Sequence, residues 1–170
     1  MSAINPSELD LQEEAVIKIN RTAKVTSRGK RFRFSALVAI GDAKGHIGIG
    51  LGKSNEVISA IQKGKDIARR NIVKVPTING TVPHKIIGKH GASRVIIKPA
   101  APGTGIIAGG PVRAVCEVLG VKDIVAKSMG TSNDHNVIRA TMKALLKQNS
   151  PKQISNIRHK KISEIIEKGG

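Results

Sequence analysis

Hydrophobic residues at every second position predict two strands near the start of the chain. Ala15, Ile17 and Ile19 alternate with polar residues, so we expect them to share one face of a half-buried strand. In a second strand, the apolar face runs through alternate residues from Phe32 to Ile40. Both phenylalanines of the chain lie on this face, so we expect them to pack in the core rather than stack on bases.

The next stretch completes a two-layer unit. Residues 41–45 predict a hairpin loop, and a third strand follows at 46–51. Gly48 and Gly50 occupy one face of that strand, which lets a neighbouring element approach the backbone closely. The hydrophobic period becomes helical at Ser54, a candidate N-cap. Three antiparallel strands with one helix across a face are therefore predicted.

The second half of the chain predicts another sheet. Strands are expected at 82–87 and 94–98, joined by a tight loop at 88–91 that carries two basic side chains at its tip. A long Pro- and Gly-rich segment occupies 99–110, and a further strand is expected at 121–126.

Two helices accompany these strands. Pro111 fits the first position of one helix, and Gly120 fits the residue just past its end. Asn133 or Asp134 caps the other helix. The predicted fold class is therefore α+β, with two two-layer α/β domains. The expected parts are an N-terminal extension (1–14), a first domain (15–75), a linker (76–81), a second domain (82–148) and a basic tail (149–170), with short helical turns near both ends.

The composition points to an anionic partner. The chain has 170 residues, and 29 Lys and Arg against 12 Asp and Glu give a formal net charge of +17. Hydrophobic residues make up 39%, which excludes a wholly disordered basic tail. The aromatic residues are only two phenylalanines, which argues against a protein that stacks each RNA base on an exposed ring.

Several other classes of site are not expected. Cys116 is the sole cysteine, so an internal disulfide is excluded, and the five histidines have no zinc-site spacing. We expect Cys116 to be a buried hydrophobe rather than a nucleophile. No metal and no cofactor are expected. The chain shows no secretion signal and no apolar run of about 18 residues, so we expect a cytoplasmic protein with no membrane span.

A run of cations between positions 15 and 41 is the main candidate for a binding site. It contains seven Lys and Arg residues and no Asp or Glu. Most of them lie on the connection at 20–31, which we expect to be a mobile cationic finger. The alternatives are a solvated surface loop and contact with RNA phosphates, and the whole-chain charge favours the second. The predicted RNA-binding residues are Arg21, Lys24, Arg28, Lys30, Arg31, Arg33, Lys53 and Ser54.

Two glycine-rich segments imitate phosphate-binding loops. The segment 48–54 resembles a P-loop, but Ile47 stands where that motif needs glycine. Free backbone amides beside Lys53 still suggest a seat for an RNA phosphate. The segment 103–110 precedes the helix that starts at Pro111. It is either an anion site or a turn that packs closely on neighbouring elements or on another protein. Only Arg113 supplies nearby charge, which favours the turn.

Five motifs together resemble the bacterial ribosomal protein S5 family of the small ribosomal subunit. The similarity covers about residues 10–150, and its most specific string is Gly-Thr-Gly-Ile-Ile-Ala-Gly-Gly. The motifs lie at 20–21 with the basic loop that follows, 48–54, 103–114, 127–133 and 136–141.

The resemblance implies a fold and a set of partners. The first domain is expected to be like the double-stranded-RNA-binding fold, and the second to have ββαβα order with a left-handed crossover. The implied role is structural and not enzymatic. Family members bind 16S rRNA, contact small-subunit proteins four and eight, lie near the path by which mRNA enters, and support decoding accuracy. We accordingly expect a ribosome-bound protein and not a homo-oligomer.

The resemblance also implies two sites. Gly105 and Arg113 match positions on the side of protein four. A loop beside the spectinomycin site matches residues 22–30, although the family often has Ser where this chain has Ala23, and Gly-Gly-Arg where it has Arg28-Gly29-Lys30. The residues carried over to that loop are Ala23, Lys24, Val25, Thr26, Arg28 and Gly29.

Two alternative functions stay open at this point. One is a free-standing module that binds duplex RNA outside the ribosome. The other is a small-molecule phosphotransferase that seats a nucleotide on the 103–110 loop. The second half of the chain has few acidic residues to hold magnesium or to act as a base, which weighs against the phosphotransferase.

Overall fold

In a computed structural model, the described residues of the chain form two four-stranded sheets and four helices. The description covers residues 11, 13–27, 29–162 and 164. The helical turns expected near the two ends fall largely outside these residues. Within the described part, the mixture of sheets and helices confirms the predicted α+β class.

The first sheet has the order β1-β2-β3-β4 and is antiparallel. Its strands are β1 (Glu13–Thr26), β2 (Gly29–Gly41), β3 (His46–Ser54) and β4 (Val73–Lys74), and helix α1 (Val57–Arg70) follows β3. Three of these strands match the expected positions. The short β4 was not predicted from the sequence, because two residues are too few to show an alternation of apolar and polar positions.

A β-bulge in β1 reverses the expected alternation. Ala15 pairs with Ala39, but the register shifts between Val16 and Lys18, and Ile19 then pairs with Ala36. A bulge sets two residues against one on the partner strand, so the side chains after it change faces. The expectation that Ala15 and Ile19 share a face is therefore wrong.

The glycine face of β3 is covered by α1. A Cβ atom built on Gly48, Gly50 or Gly52 would lie 1.9–2.1 Å from a carbonyl oxygen of that helix; at Gly52 the oxygen belongs to Ala60. The expected close approach is confirmed, and the element that approaches is α1. The 48–54 segment is thus strand rather than phosphate-binding loop.

The start of α1 differs from the prediction. Ser54 remains in β3, where it pairs with Phe34, and the helix begins at Val57 after Glu56. Ser54 is therefore not the N-cap, because strand pairing continues through it.

The second sheet has the order β5-β6-β8-β7, in which β7 and β8 are parallel and the other pairs antiparallel. Its strands are β5 (Ile86–His90), β6 (Ser93–Pro99), β7 (Ile106–Ile107) and β8 (Ile124–Gly130). Strands β5 and β8 begin several residues later than expected. The connection between β5 and β6 consists of positions 91 and 92, so the two basic residues placed at a loop tip lie instead on a strand.

Three further helices complete the fold: α2 (Gly110–Leu119), α3 (Asp134–Leu146) and α4 (Pro151–Arg158). The predicted end of α2 is confirmed, since Gly120 adopts a left-handed φ of 83°. The cap of α3 is Asn133, whose side chain accepts a hydrogen bond from the backbone N–H of His135 at 3.0 Å. Helix α4, which was not predicted, has no buried residue.

One hydrophobic core joins the two sheets. Leu37 and Ile47 from the first sheet belong to the same buried cluster as Val95, Val118 and Ile138 from the second half of the chain. A smaller cluster fills the space between the first sheet and α1. The first sheet is therefore covered on one face by α1 and on the other by elements of the second half of the chain.

Candidate nucleic-acid interface

Strands β1 and β2 extend beyond the core as a two-stranded ribbon. We call residues 20–26 and 29–35 the β1–β2 ribbon; its strands pair from Asn20 opposite Ser35 to Thr26 opposite Gly29. Seven residues at about 3.4 Å each give it a length of roughly 20 Å. The expectation of a mobile loop at 20–31 is therefore wrong, because β1 and β2 remain paired beyond the point where their side chains are buried in the core.

The two faces of the ribbon differ in chemistry. Cross-strand partners share a face, so Thr22 lies beside Arg33 and Lys24 beside Arg31. The position of Lys53 opposite Ser35 puts this lysine on the same face. We call this surface the polar face; it consists of Lys18, Asn20, Thr22, Lys24, Arg31, Arg33, Ser35 and Lys53.

The other face of the ribbon carries apolar side chains and two cations. Phe32 is 44% exposed and Val25 is 72% exposed. The guanidinium carbon of Arg21 lies 3.7 Å from the centroid of the Phe32 ring. Phe34 packs against the small cluster under α1, as expected. The expected core position of Phe32 is wrong, because this residue lies on the part of the ribbon that extends beyond the core.

The ribbon cations are not neutralised within the described part of the chain. There, no carboxylate lies within ion-pair distance of the five described cations of the predicted set on the ribbon. Arg28, which was also predicted, lies outside the described residues. The five cations are Arg21, Lys24, Lys30, Arg31 and Arg33.

The remaining two predicted residues lie at the end of β3. Lys53 and Ser54 line a groove of about 310 Å³ together with Thr22 and Arg33 from the ribbon. The fold thus brings Arg33, Lys53 and Ser54 together. The proposed seat for phosphate on the glycine amides is wrong, because α1 covers the glycine face of β3.

A larger groove lies where the first sheet meets the start of α3. We call it the seam groove; its volume is about 520 Å³. Sequence reasoning assigned a binding role to Lys53 alone among these residues; the motifs at 20–21 and 127–133 were noted only as family motifs, because positions 20 and 131–133 approach each other only in the folded chain. The lining residues are Lys18, Asn20, Thr22, Ser35, Leu37, Leu51, Lys53, Thr131, Ser132, Asn133, Asp134 and His135.

The two residues matched to the protein-four side lie elsewhere on the molecule. Gly105 has a φ of 75°, and its N–H donates to Asp123 Oδ1 at 2.8 Å. Arg113 is exposed on α2 and its Nε donates to Glu117 Oε1 at 3.0 Å. A Cβ atom added at Gly105 would meet no atom within 4 Å, so the segment does not pack closely on its own chain there.

The described residues offer no catalytic or metal centre of the kinds considered above. Burial, with a smaller contribution from Glu117, raises the pKa of the Cys116 thiol to about 12, so a thiolate nucleophile at neutral pH is excluded. Among the described residues there is no group of three or more His, Cys, Asp or Glu side chains able to hold a metal ion. Nor is any described helix long and apolar enough to cross a membrane.

Comparison with known proteins shows that the chain is a ribosomal protein by class. The family model described as "Ribosomal protein S5, N-terminal domain" matches residues 12–76, and "Ribosomal protein S5, C-terminal domain" matches residues 88–158. The chain belongs to the ribosomal protein S5 family.

Two curated relatives agree with these matches. The chain is 60% identical over 158 residues to the small ribosomal subunit protein uS5 of Pelagibacter ubique (strain HTCC1062), an alignment that covers 92% of this chain and 93% of that protein. It is 47% identical over 165 residues to uS5 of Chloroflexus aurantiacus (strain ATCC 29364 / DSM 637 / Y-400-fl), covering 97% and 92%. The resemblance stated from the motifs is confirmed, and so is a structural rather than enzymatic role.

Proposed function

We propose that this protein is a structural component of the small ribosomal subunit that binds 16S rRNA through the β1–β2 ribbon. The observation that carries the proposal is the set of five ribbon cations without an acidic partner in the described part of the chain. Both relatives compared are named as small-subunit proteins, which supports the same assignment.

Phosphate contact is the main mode of binding in this proposal. Each cation that meets a phosphate releases a condensed counterion, so affinity falls with salt in proportion to the number of contacts. A ribbon roughly 20 Å long can contact several consecutive phosphates of an RNA strand. The paired strands hold the cations in a fixed order, which lowers the conformational entropy lost on binding.

The finer assignments concern partners and position. Gly105 and Arg113 contact protein four, protein eight is a second neighbour, and mRNA passes close by as it enters. The residues carried over from the family's loop beside the spectinomycin site are Ala23, Lys24, Val25, Thr26, Arg28 and Gly29. Through the interface with protein four the protein supports decoding accuracy, and it acts in the cytoplasm as part of the ribosome.

Replacement of three ribbon cations tests the role of the ribbon. The variant Lys24→Ala/Lys30→Ala/Arg31→Ala removes three charges from an exposed surface, so the fold is retained. We expect its affinity for 16S rRNA in filter binding to fall at least tenfold at 0.1 M salt. The slope of log affinity against log salt should decrease by about one for each cation.

The matched control is Lys44→Ala/Lys98→Ala/Lys122→Ala, which removes three exposed lysines away from the ribbon. If both variants lose affinity equally, net charge and not the ribbon accounts for binding.

Sedimentation of a native extract distinguishes a ribosomal component from a free-standing RNA-binding module. A ribosomal component travels with the small subunit, whereas a free-standing duplex-RNA module stays in the soluble fraction at high salt.

A further inference from the structure

An apolar surface lies between β1 and helix α1. Because of the bulge, Val16 and Ile19 are both on the α1 side of the first sheet: their partners Val38 and Ala36 belong to the small cluster under that helix. Val16 is 44% exposed and Ile19 is 43% exposed, so α1 does not cover this edge of the sheet. We call the surface the β1–α1 trough; it consists of Val16, Ile19, Ile58, Ile61, Lys65 and Arg69.

The other wall of the trough is one flank of α1. Ile58, Ile61 and Lys65 are three and four positions apart, so they share that flank. The flank faces β1, because Glu14 pairs with Lys65 and its Oε1 lies 3.7 Å from Arg69 Nη2. Ile58 is 82% exposed on it. Neighbouring exposed isoleucine and valine side chains mark a contact surface.

The chain itself enters the trough just before β1. Leu11 packs against the small cluster under α1, so the chain reaches β1 from the side of that helix. Ten residues precede Leu11 in the sequence, and they lie outside the described residues. Ten extended residues span up to about 33 Å, whereas the 14 residues of α1 span roughly 21 Å. The segment is therefore long enough to follow the trough along the whole of α1.

The chemistry of this segment complements the trough. Residues 1–14 contain four acidic residues and no Lys or Arg, in a chain whose net charge is +17. Leu9 and Leu11 alternate with Glu8 and Asp10, which in an extended segment puts apolar and acidic side chains on opposite faces. The trough offers isoleucines beside two cations. A second copy of the chain fits less well, because its large positive charge opposes self-association.

We propose that residues 1–10 dock in the β1–α1 trough as an intramolecular strap, with Leu9 against the isoleucines of α1 and with Glu8 and Asp10 directed toward Lys65 and Arg69. The strap continues the contacts that Leu11 and Glu14 already make. It covers apolar surface that the fold otherwise leaves exposed, and so closes this flank of α1 to other partners. The inference does not depend on the proposed function.

Thiol reactivity in the trough tests the strap. Ile58→Cys provides a single reactive thiol, because the native Cys116 is buried and its thiol pKa is about 12. Its rate of modification by a water-soluble aromatic disulfide is measured in the full chain and in a chain that lacks residues 2–9, which retains Leu11 and Glu14. The matched control is Lys63→Cys, at an exposed position on the other flank of α1. Circular dichroism confirms the fold of each variant.

We expect loss of residues 2–9 to accelerate modification of Ile58→Cys at least about fivefold, because the reagent reaches the thiol only when the strap has opened. The rate for Lys63→Cys should change less than about 1.5-fold. Equal rates for Ile58→Cys with and without the segment would overturn the proposal and leave the proposed function intact. Protection that disappears on dilution would assign the trough to a second copy of the chain, which also overturns it.

Reversal of two charges tests the acidic contacts separately. In the Ile58→Cys chain, Glu8→Lys/Asp10→Lys should accelerate modification at least about threefold, because the new lysines repel Lys65 and Arg69. Asp66→Lys/Glu117→Lys changes the net charge equally at positions outside the trough and should have less than about 1.5-fold effect. Acceleration by neither pair, or equal acceleration by both, would overturn the proposal.

Discussion

The guanidinium carbon of Arg21 lies 3.7 Å from the centroid of the Phe32 ring. The pair sits on the face of the β1–β2 ribbon opposite to the polar face, beyond the last residues that α1 buries. Ala23, the direct partner of Phe32, is small, which leaves room for the guanidinium to reach diagonally across the strands. The contact therefore holds one cation of the ribbon over the face of an aromatic ring.

A double-mutant cycle measures this contact. We expect Arg21→Ala and Phe32→Ala to be coupled by about 0.5–1 kcal/mol in the free energy of unfolding, the usual range for an exposed cation–π pair. The matched cycle uses Arg33→Ala with Phe32→Ala, because Arg33 lies on the other face. Additive effects in both cycles would show that the stack does not form in solution.

Replacement of a strand glycine should disrupt the contact between β3 and α1. A Cβ atom on Gly52 would lie 1.9 Å from the Ala60 carbonyl oxygen, and backbone cannot rotate away as a side chain can. We expect Gly52→Ala to lower the free energy of unfolding by about 3 kcal/mol, at the upper end of overpacking.

The control for that change is Gly110→Ala. Its Cβ atom would meet nothing within 4 Å, and its φ is not positive. Urea denaturation should show an unchanged or slightly raised stability for this variant, since alanine favours helix formation. A small effect at position 52 would mean that α1 does not press on the strand as closely as described.

Sequence patterns predicted the elements whose signals are local. The end of α2 followed from Gly120, the start of α3 from a cap at Asn133 or Asp134, and the glycine face of β3 from its period of two. Each of these depends on the conformational preference of one residue or on a short repeat. The cationic residues were also evident, because charge is a property of composition.

The remaining features depend on partners distant in sequence. Strands β4 and β7 have two residues each and exist only through pairing with β3 and β8. The bulge at Ile17 and the full length of the ribbon are seen only in the pairing of β1 with β2, whose partners lie up to 28 positions apart in sequence. For the same reason the seam groove, which joins position 20 to position 132, could not be predicted.

The Asp42 carboxylate should make stability depend on pH. Burial opposes its ionisation, but hydrogen bonds from the backbone N–H groups of His46 and Lys44 and from the His46 ring outweigh burial and lower the pKa of Asp42. A lowered pKa in the folded state stabilises the protein above the unfolded-state pKa of about 4, and this contribution is lost as pH falls through the folded-state value.

Urea unfolding of Asp42→Asn checks this expectation. At pH 7 the variant should be about 1–3 kcal/mol less stable than the native chain, because two backbone donors lose a charged acceptor. The difference should shrink as the pH falls below about 4. Asp66→Asn, on the exposed surface of α1, serves as the control. A difference that stays constant from pH 7 to pH 3 would contradict the role assigned to the Asp42 charge.

The ion pair between Lys18 and Asp134 makes opposite predictions for stability and for RNA binding. Asp134 is the first residue of α3, where a negative charge is favourable, so Asp134→Asn should lower the free energy of unfolding by about 0.5–1 kcal/mol. The same change frees Lys18 on the polar face that continues along the ribbon. We therefore expect 16S rRNA affinity to rise three- to tenfold, with a salt slope steeper by about one. Glu117→Gln removes an equal charge beside Arg113 on α2, away from the polar face, and should leave affinity unchanged. A similar rise in both variants would indicate a general effect of net charge, and no rise in either would place the RNA away from Lys18.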